Sequence, residues 1–273
     1  MAKFGFFDYT KPGPGVDKNA PKKKAFFEFF ELWFNNIWSL ISVNITFFLV
    51  NLFIIPNGLA SAGMANVTRS IVRGKHSFGV SDFWETIKKN WKQALPAGII
   101  NIIFTALLVF GIWFYYTGSG AFSVVGTGVL LGLFIIFAIM KYYIWLILIT
   151  FKLPLKKIYK NSFLLVFVNF KKNLLIGFAS ILYYVLMGLI FWALPYSVVL
   201  IILILITIML FTGLRQLLIM YCVFPAVEKT MIIPYYKENP DADIEQRRNL
   251  GLIDEDDVDT VFDDNRMLKP DDE

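Results

Sequence analysis

The chain has 273 residues, of which 57% are hydrophobic, 17% aromatic and 17% charged, and its mean hydropathy is +0.60. An average soluble protein is roughly 45–50% apolar and about 25% charged, so a water-soluble fold could not bury this much apolar surface. The composition predicts an all-α, polytopic helical membrane protein. It excludes a disordered chain, and Cys222 as the single cysteine excludes a disulfide-bonded secreted scaffold.

The N-terminal residues 1–22 are hydrophilic and contain Pro12, Pro14 and Pro21. We predict a flexible cytoplasmic arm without a cleavable signal peptide. The stretch that follows, residues 22–34, is aromatic and basic. It predicts an amphipathic helix that lies in the membrane interface.

Three long runs carry no charge, at residues 32–68, 93–140 and 173–214. One membrane crossing needs about 20 apolar residues, so each run is long enough for a helical hairpin. Turn-forming residues interrupt each run near its middle. The sequence therefore predicts a transmembrane domain over residues 23–224 with six segments, at 33–55, 58–73, 94–116, 122–150, 173–194 and 197–223.

Lysines and arginines cluster before the first hairpin and between the hairpins, and the three hairpin turns carry none. Cytoplasmic loops retain such residues. This distribution predicts a multi-pass protein of the bacterial plasma membrane with both termini in the cytoplasm. Segment 58–73 is rich in small rather than apolar residues, so it is predicted either to cross the membrane or to be re-entrant.

Small residues within predicted membrane helices indicate close helix packing. Gly58, Ala62 and Gly63 give segment 58–73 such a surface, and Gly128 and Gly132 give one to segment 122–150. For this last pair, glycines without a packing role are an equally good interpretation.

Aromatic residues and lysines recur at helical spacing over residues 79–93, which predicts a second interfacial helix. Its rings would lie in the headgroup layer of the bilayer and its lysines on anionic lipid headgroups. The alternative is a coupling surface for a cytoplasmic partner. The predicted anchor residues are Phe83, Trp84, Lys88, Lys89, Trp91 and Lys92.

Three cations lie within or beside the predicted spans, namely Arg69, Lys141 and Arg215. Charges in such positions are functional hypotheses, here for an anionic ligand or a lipid headgroup. Counted from the outer turns at 1.5 Å per residue, Lys141 and Arg215 are expected about 27–31 Å deep, at the inner edge of the hydrocarbon core. Snorkelling to lipid phosphate is the alternative that needs no ligand.

The chain has no phosphate-binding loop, no Cys-x-x-Cys and no His-Glu-x-x-His. We expect a non-enzymatic protein with no catalytic residues, no metal, no cofactor and no nucleic-acid partner. Residues 225–273 hold most of the 21 acidic residues, which predicts a mostly disordered cytoplasmic tail. That tail could be merely solvated, or it could contact the basic inner face or a partner protein.

Several short motifs resemble the YesL family of bacterial membrane proteins, a domain of unknown function. They are Phe6-Phe7-Asp8-Tyr9, residues 11–16, the lysines at 22–24, residues 58–64 leading into 71–75, Phe83-Trp84 and Asn90-Trp91-Lys92. The resemblance covers roughly residues 1–225.

Members of that family occur in Gram-positive bacteria, often encoded beside carbohydrate ABC importers and glycan-degrading enzymes. The resemblance thus implies an accessory protein that assists such an importer and binds its permease subunits. A small independent transporter or channel, or a scaffold or sensor acting through the tail, are the alternatives. The Glu-Ala-Ala loop with which importer permeases dock their ATPase is absent, which argues against the permease itself.

Overall fold

The computed structural model describes residues 24–53, 55–193 and 198–238. The predicted arm at 1–22 and all of the acidic tail beyond residue 238 lie outside the described residues. The described part is 89% helical and contains no strand, which confirms the predicted fold class. The helices are α1 (Ala25–Asn35), α2 (Ile37–Asn51), α3 (Asn57–Val72), α4 (Val80–Tyr116), α5 (Ala121–Thr150), α6 (Leu155–Val168), α7 (Phe170–Ala193), α8 (Val198–Val227) and, after a π-helical turn at Glu228–Ile232, α9 (Ile233–Glu238).

Four of these helices, α4, α5, α7 and α8, are long and apolar enough to cross a membrane. A fifth span results if α1 and α2, bent by 69° at Asn36, count as one. The predicted segment 58–73 forms α3, but its 16 residues rise only about 24 Å and it is not among those helices. The described residues therefore support a multi-pass membrane protein with four to five helices that are long and apolar enough to span the membrane.

The predicted boundary between an interfacial helix at 79–93 and a span at 94–116 is wrong. Residues Val80–Tyr116 form one continuous helix of 37 residues. Nothing in the sequence around Gln93 favours a turn, and Pro96 is accommodated within the helix. Helices α6 and α7 are divided at Asn169, where α6 ends and α7 follows.

Helix α3 lies at the centre of the bundle, where it packs against α2, α4, α5 and α8. Its side chains are small, and most of them are buried. The closest approach is at Gly58, where an added Cβ would lie 2.7 Å from the Cα of Gly98 and would collide with the carbonyl oxygen of Ala94 on α4. Segment 58–73 is thus weakly apolar because its side chains face other helices, not lipid.

The other glycines and alanines predicted to mediate packing divide into two groups. Gly63 lies under the ring of Phe83, 2.6 Å from where its Cβ would be, and Ala62 is fully buried. Gly128 and Gly132 have no described atom within 4 Å of an added Cβ. Their predicted packing role is therefore not fulfilled by the described part of this chain, because this face of α5 points outward.

Substitution of Gly58 by leucine should destabilise the bundle strongly. The added side chain meets backbone on α4, which cannot move aside as a flexible side chain would, so we expect a loss at or above the upper end of the roughly 1–3 kcal/mol typical of overpacking. Thermal unfolding of the purified protein in mild detergent measures it. Gly177→Leu on α7 is the matched control, since an added Cβ there meets no described atom within 4 Å; equal losses in both variants would contradict the interpretation.

Candidate functional site

The polar features of the bundle concentrate at one end, which we call the basic end. It carries the exposed lysines of α4, α6 and α7 and the C-terminal arginines of α3, while the α2–α3 and α4–α5 connections form the opposite turn end. A cavity of about 1050 Å³ opens at the basic end between α3, α4 and the α5–α6 connection. Its wall includes Arg69, Arg73, Lys89, Lys92 and Lys152, with Asp82 and Glu85 as the acidic members.

Arg69 is the most constrained cation of this cavity. Its Nη1 donates to Oγ1 of Thr150 at 3.0 Å and its Nη2 to Oδ1 of Asn66 at 2.7 Å. Its Nε is shut off from solvent and has no hydrogen-bond partner in the structure. Because two neutral acceptors hold the guanidinium in place, its positive charge is fixed at the cavity wall and suits an anionic group.

A second cavity, of about 600 Å³, adjoins the first between α1, α3, α7 and α8. Arg73 and Lys75 line both cavities. The guanidinium of Arg73 lies 5.8 Å from the centre of the Phe224 ring. Burial lowers the pKa of Arg73, and the nearby carboxylate of Glu228 counteracts this. The two cavities thus share one basic wall.

Lys141 and Arg215 come together on adjacent helices, away from these cavities. Both are half-buried, and they repel each other electrostatically across the α5–α8 contact. Nε of Arg215 donates to Oγ of Ser180 at 3.2 Å, and the Tyr142 hydroxyl lies 3.5 Å from the same oxygen. Insertion scales put the cost of one charged residue at a helix centre at about 2.5–3.5 kcal/mol, so a pair of like charges needs compensation.

The level of the pair can be given along the helices. Lys141 follows Ala121, the first residue of α5, by 20 positions, which is about 30 Å from the turn end. Lys141 precedes Thr150, the last residue of α5, by nine positions, and Arg215 precedes Phe224 by nine, so both lie about 13 Å of helix before the basic end. That the pair marks the inner edge of the hydrocarbon core stays a prediction.

Both side chains also point away from the basic end. Nζ of Lys141 lies 5.7 Å from the ring centre of Phe137, one helical turn closer to the turn end. The Arg215 guanidinium lies 5.9 and 5.4 Å from the rings of Tyr183 and Tyr184, which follow Ser180 by one turn in the same direction. Side chains lean toward the N-terminus of their helix, and α5 and α8 both run toward the basic end. Snorkelling toward the basic end therefore does not describe them.

The predicted anchor residues of α4 differ in how far their side chains are exposed. Trp84 and Trp91 are 43% and 51% exposed, Nζ of Lys92 lies 5.9 Å from the Trp91 ring centre, and Lys88 and Lys89 are exposed. Phe83 is 0% exposed and packs on Gly63, so its prediction as an interfacial anchor is wrong. The side chain of Phe83 faces α3, whereas its neighbour Trp84 faces outward.

Sequence reasoning did not single out a buried polar network between α5, α6 and α7. The Tyr143 hydroxyl donates to Oδ1 of Asn173 at 2.7 Å and accepts from Nδ2 of Asn169 at 3.0 Å. Tyr159 on α6 similarly donates to Oδ1 of Asn101 at 2.9 Å, and burial raises the pKa of Tyr159 to about 12. The sequence feature that could have indicated this network is the i, i+4 spacing of Asn169 and Asn173. These bonds join α6 and α7 to the bundle.

Among the described residues, no group of three or more His, Cys, Asp or Glu side chains is arranged to hold a metal ion. Residues 32–112, which include α2, α3 and most of α4, match the family model described as "Protein of unknown function, DUF624". No curated protein and no solved structure matches the chain. The match therefore adds a family description without an activity.

Alanine substitutions at positions 83 and 84 should destabilise the protein to different extents. Phe83→Ala removes a fully buried ring and should cost about 3–5 kcal/mol, whereas Trp84→Ala removes a partly exposed one and should cost much less. Thermal unfolding in detergent compares the two, and binding to vesicles containing phosphatidylglycerol tests anchoring. A larger loss of stability in Trp84→Ala than in Phe83→Ala would contradict the assignment.

Proposed function

We propose that the protein is a non-enzymatic integral membrane protein of a bacterial plasma membrane, with both termini in the cytoplasm. It assembles as an accessory subunit with the permease of a carbohydrate ABC importer. The positive-inside rule supports the orientation, since it assigns the basic end to the cytoplasm.

The observation that carries the assembly is the outward face of α5. Gly128 and Gly132 are exposed and spaced four residues apart, and the flanking Val125 and Ile135 are 63% and 57% exposed. Such a glycine pair lets another helix approach its backbone closely. The comparable close contact inside the bundle, Gly58 against Gly98, is already filled by α4. The α5 face is therefore suited to a membrane helix of another chain.

The link to a carbohydrate importer rests on the resemblance to the YesL family, whose members are often encoded beside such importers. An accessory role also suits a chain that has no motif for docking an importer ATPase. In this arrangement α5 contacts the permease within the bilayer, and the lysines of the basic end contact anionic headgroups around the complex.

Replacement of both glycines by isoleucine should prevent this assembly. The tagged full-length chain, purified in mild detergent from the bacterium that encodes it after growth on plant-type oligosaccharide, should recover permease subunits in stoichiometric amounts by mass spectrometry. G128I/G132I should lower that recovery about tenfold or more, because branched side chains hold the two backbones apart.

The matched control is G177I/G188I on α7, where both glycines also meet no described atom within 4 Å of an added Cβ but are not spaced four apart. This variant should recover permeases as wild type does. Recovery of the protein alone, under conditions in which a known importer complex survives, would refute the accessory role.

A second candidate function is an independent transporter, which the cavity around Arg69 favours because a fixed cation at a cavity wall can select anions. Reconstituted protein would then move phosphate or sulfate into vesicles. Arg69→Gln should abolish this flux, while Lys92→Gln, which removes an exposed charge from the same wall, should reduce it only slightly. Absence of flux in the wild-type protein would exclude this candidate for these ions.

A further inference from the structure

Lys141 and Arg215 lie on helices that contain no acidic residue. No Asp or Glu occurs between Glu85 and Glu228, so α5, α6, α7 and α8 contain none. Glu228 is the acidic residue nearest to Arg215 along the chain, and it follows Arg215 by thirteen positions, or about 20 Å of helix. The counter-charge for this pair must therefore come from outside these four helices.

Neighbouring side chains hold the two cations, Lys141 and Arg215, in place. Ser180 accepts from Nε of Arg215 and also lies 3.5 Å from the Tyr142 hydroxyl, so α5, α7 and α8 meet at this oxygen. The rings of Tyr183 and Tyr184 flank the guanidinium. Such contacts fix the direction of the charge, and they supply hydroxyl groups that can donate to an anion.

The pair also lies at the boundary of the packed core. Buried residues of α5 begin at Phe137 and continue toward the basic end, and those described on α7 reach no farther than Ser180. Beyond this level, α5 and α7 expose apolar side chains such as Leu131 and Tyr184. The two half-buried cations thus face the region where another membrane helix can approach.

We propose that Lys141 and Arg215 form a docking site for one carboxylate, an Asp or Glu side chain within a transmembrane helix of a partner protein. This inference rests on the proposed function, and it specifies the partner's chemistry. A carboxylate between a lysine and an arginine is ionised, accepts the guanidinium fork, and neutralises a charge that the bilayer disfavours.

The direction of the two side chains favours a helix carboxylate over a lipid phosphate. The pair is about 13 Å of helix from the basic end, and both side chains point toward the turn end. A headgroup phosphate at the basic end would have to move along the helices past this level to meet them. An acidic residue of a neighbouring membrane helix can lie directly beside them.

The test uses the full chain in nanodiscs and a synthetic 25-residue leucine–alanine membrane helix with a lysine-tagged end. The peptide carries a single Asp about 13 Å from that end, and two further peptides carry Asn or Leu instead. Energy transfer between labels on protein and peptide measures binding. We expect the Asp peptide to bind about tenfold more tightly than the Asn peptide.

Three variants test whether the preference for the Asp peptide depends on Lys141 and Arg215. K141Q/R215Q should bind the Asp peptide no better than the Asn peptide, while K141R/R215K should keep a preference for Asp. K156Q/K157Q, which removes two exposed lysines of α6, should bind as wild type does. If K141Q/R215Q does not fold, the difference in affinity of the wild-type protein for the Asp and Asn peptides still tests the proposal.

Equal binding of the Asp and Asn peptides would overturn the proposal, as would an unchanged Asp preference in K141Q/R215Q. Quenching of labels near Arg215 by brominated phosphatidylglycerol but not brominated phosphatidylcholine, without Asp-peptide binding, would instead identify a lipid phosphate as the occupant. The peptide assay contains no importer. Loss of permease recovery with intact Asp binding therefore refutes the proposed function alone, and the reverse result refutes the docking site alone.

Discussion

The close contact of α3 with α4 is the constraint on which the rest of the bundle depends. Gly58 meets the backbone of Gly98 and Ala94, and Gly63, five residues farther along α3, contacts the ring of Phe83. Both contacts require a glycine on α3. Helix α3 can therefore occupy the centre of the bundle, where α2, α5 and α8 pack around it.

A short central helix also determines where the polar cavities form. Helix α3 ends at Val72 and α5 ends at Thr150, and Arg69 and Arg73 at the end of α3 line the open space there. Thr150 at the end of α5 then holds Arg69 in position. The basic end thus combines fixed arginines near its centre with exposed lysines around its rim, whereas α5 and α8, which carry Lys141 and Arg215, contain no acidic residue.

Much of this fold follows from charge spacing. The uncharged runs place the long helices correctly, and small residues correctly indicate that α3 packs closely. Charge spacing does not show that α4 continues through residue 93, because the change from charged to uncharged residues after Lys92 marks where the apolar stretch begins and not where a helix begins. The sequence also does not show that Phe83 is buried whereas Trp84 is partly exposed, because that difference depends on which face of α4 packs against α3.

The length of α4 has a mechanical consequence. Its 37 residues extend about 55 Å, well beyond a hydrocarbon core of roughly 30 Å. The N-terminal part of α4, which carries Glu85, Lys89 and Gln93, belongs to the same continuous helix and packs against the bundle, since Phe83 is buried there. Long helices respond to bilayer thickness by tilting. A tilt of α4 would therefore move Glu85, Lys89 and Gln93 together, and with them one wall of the cavity.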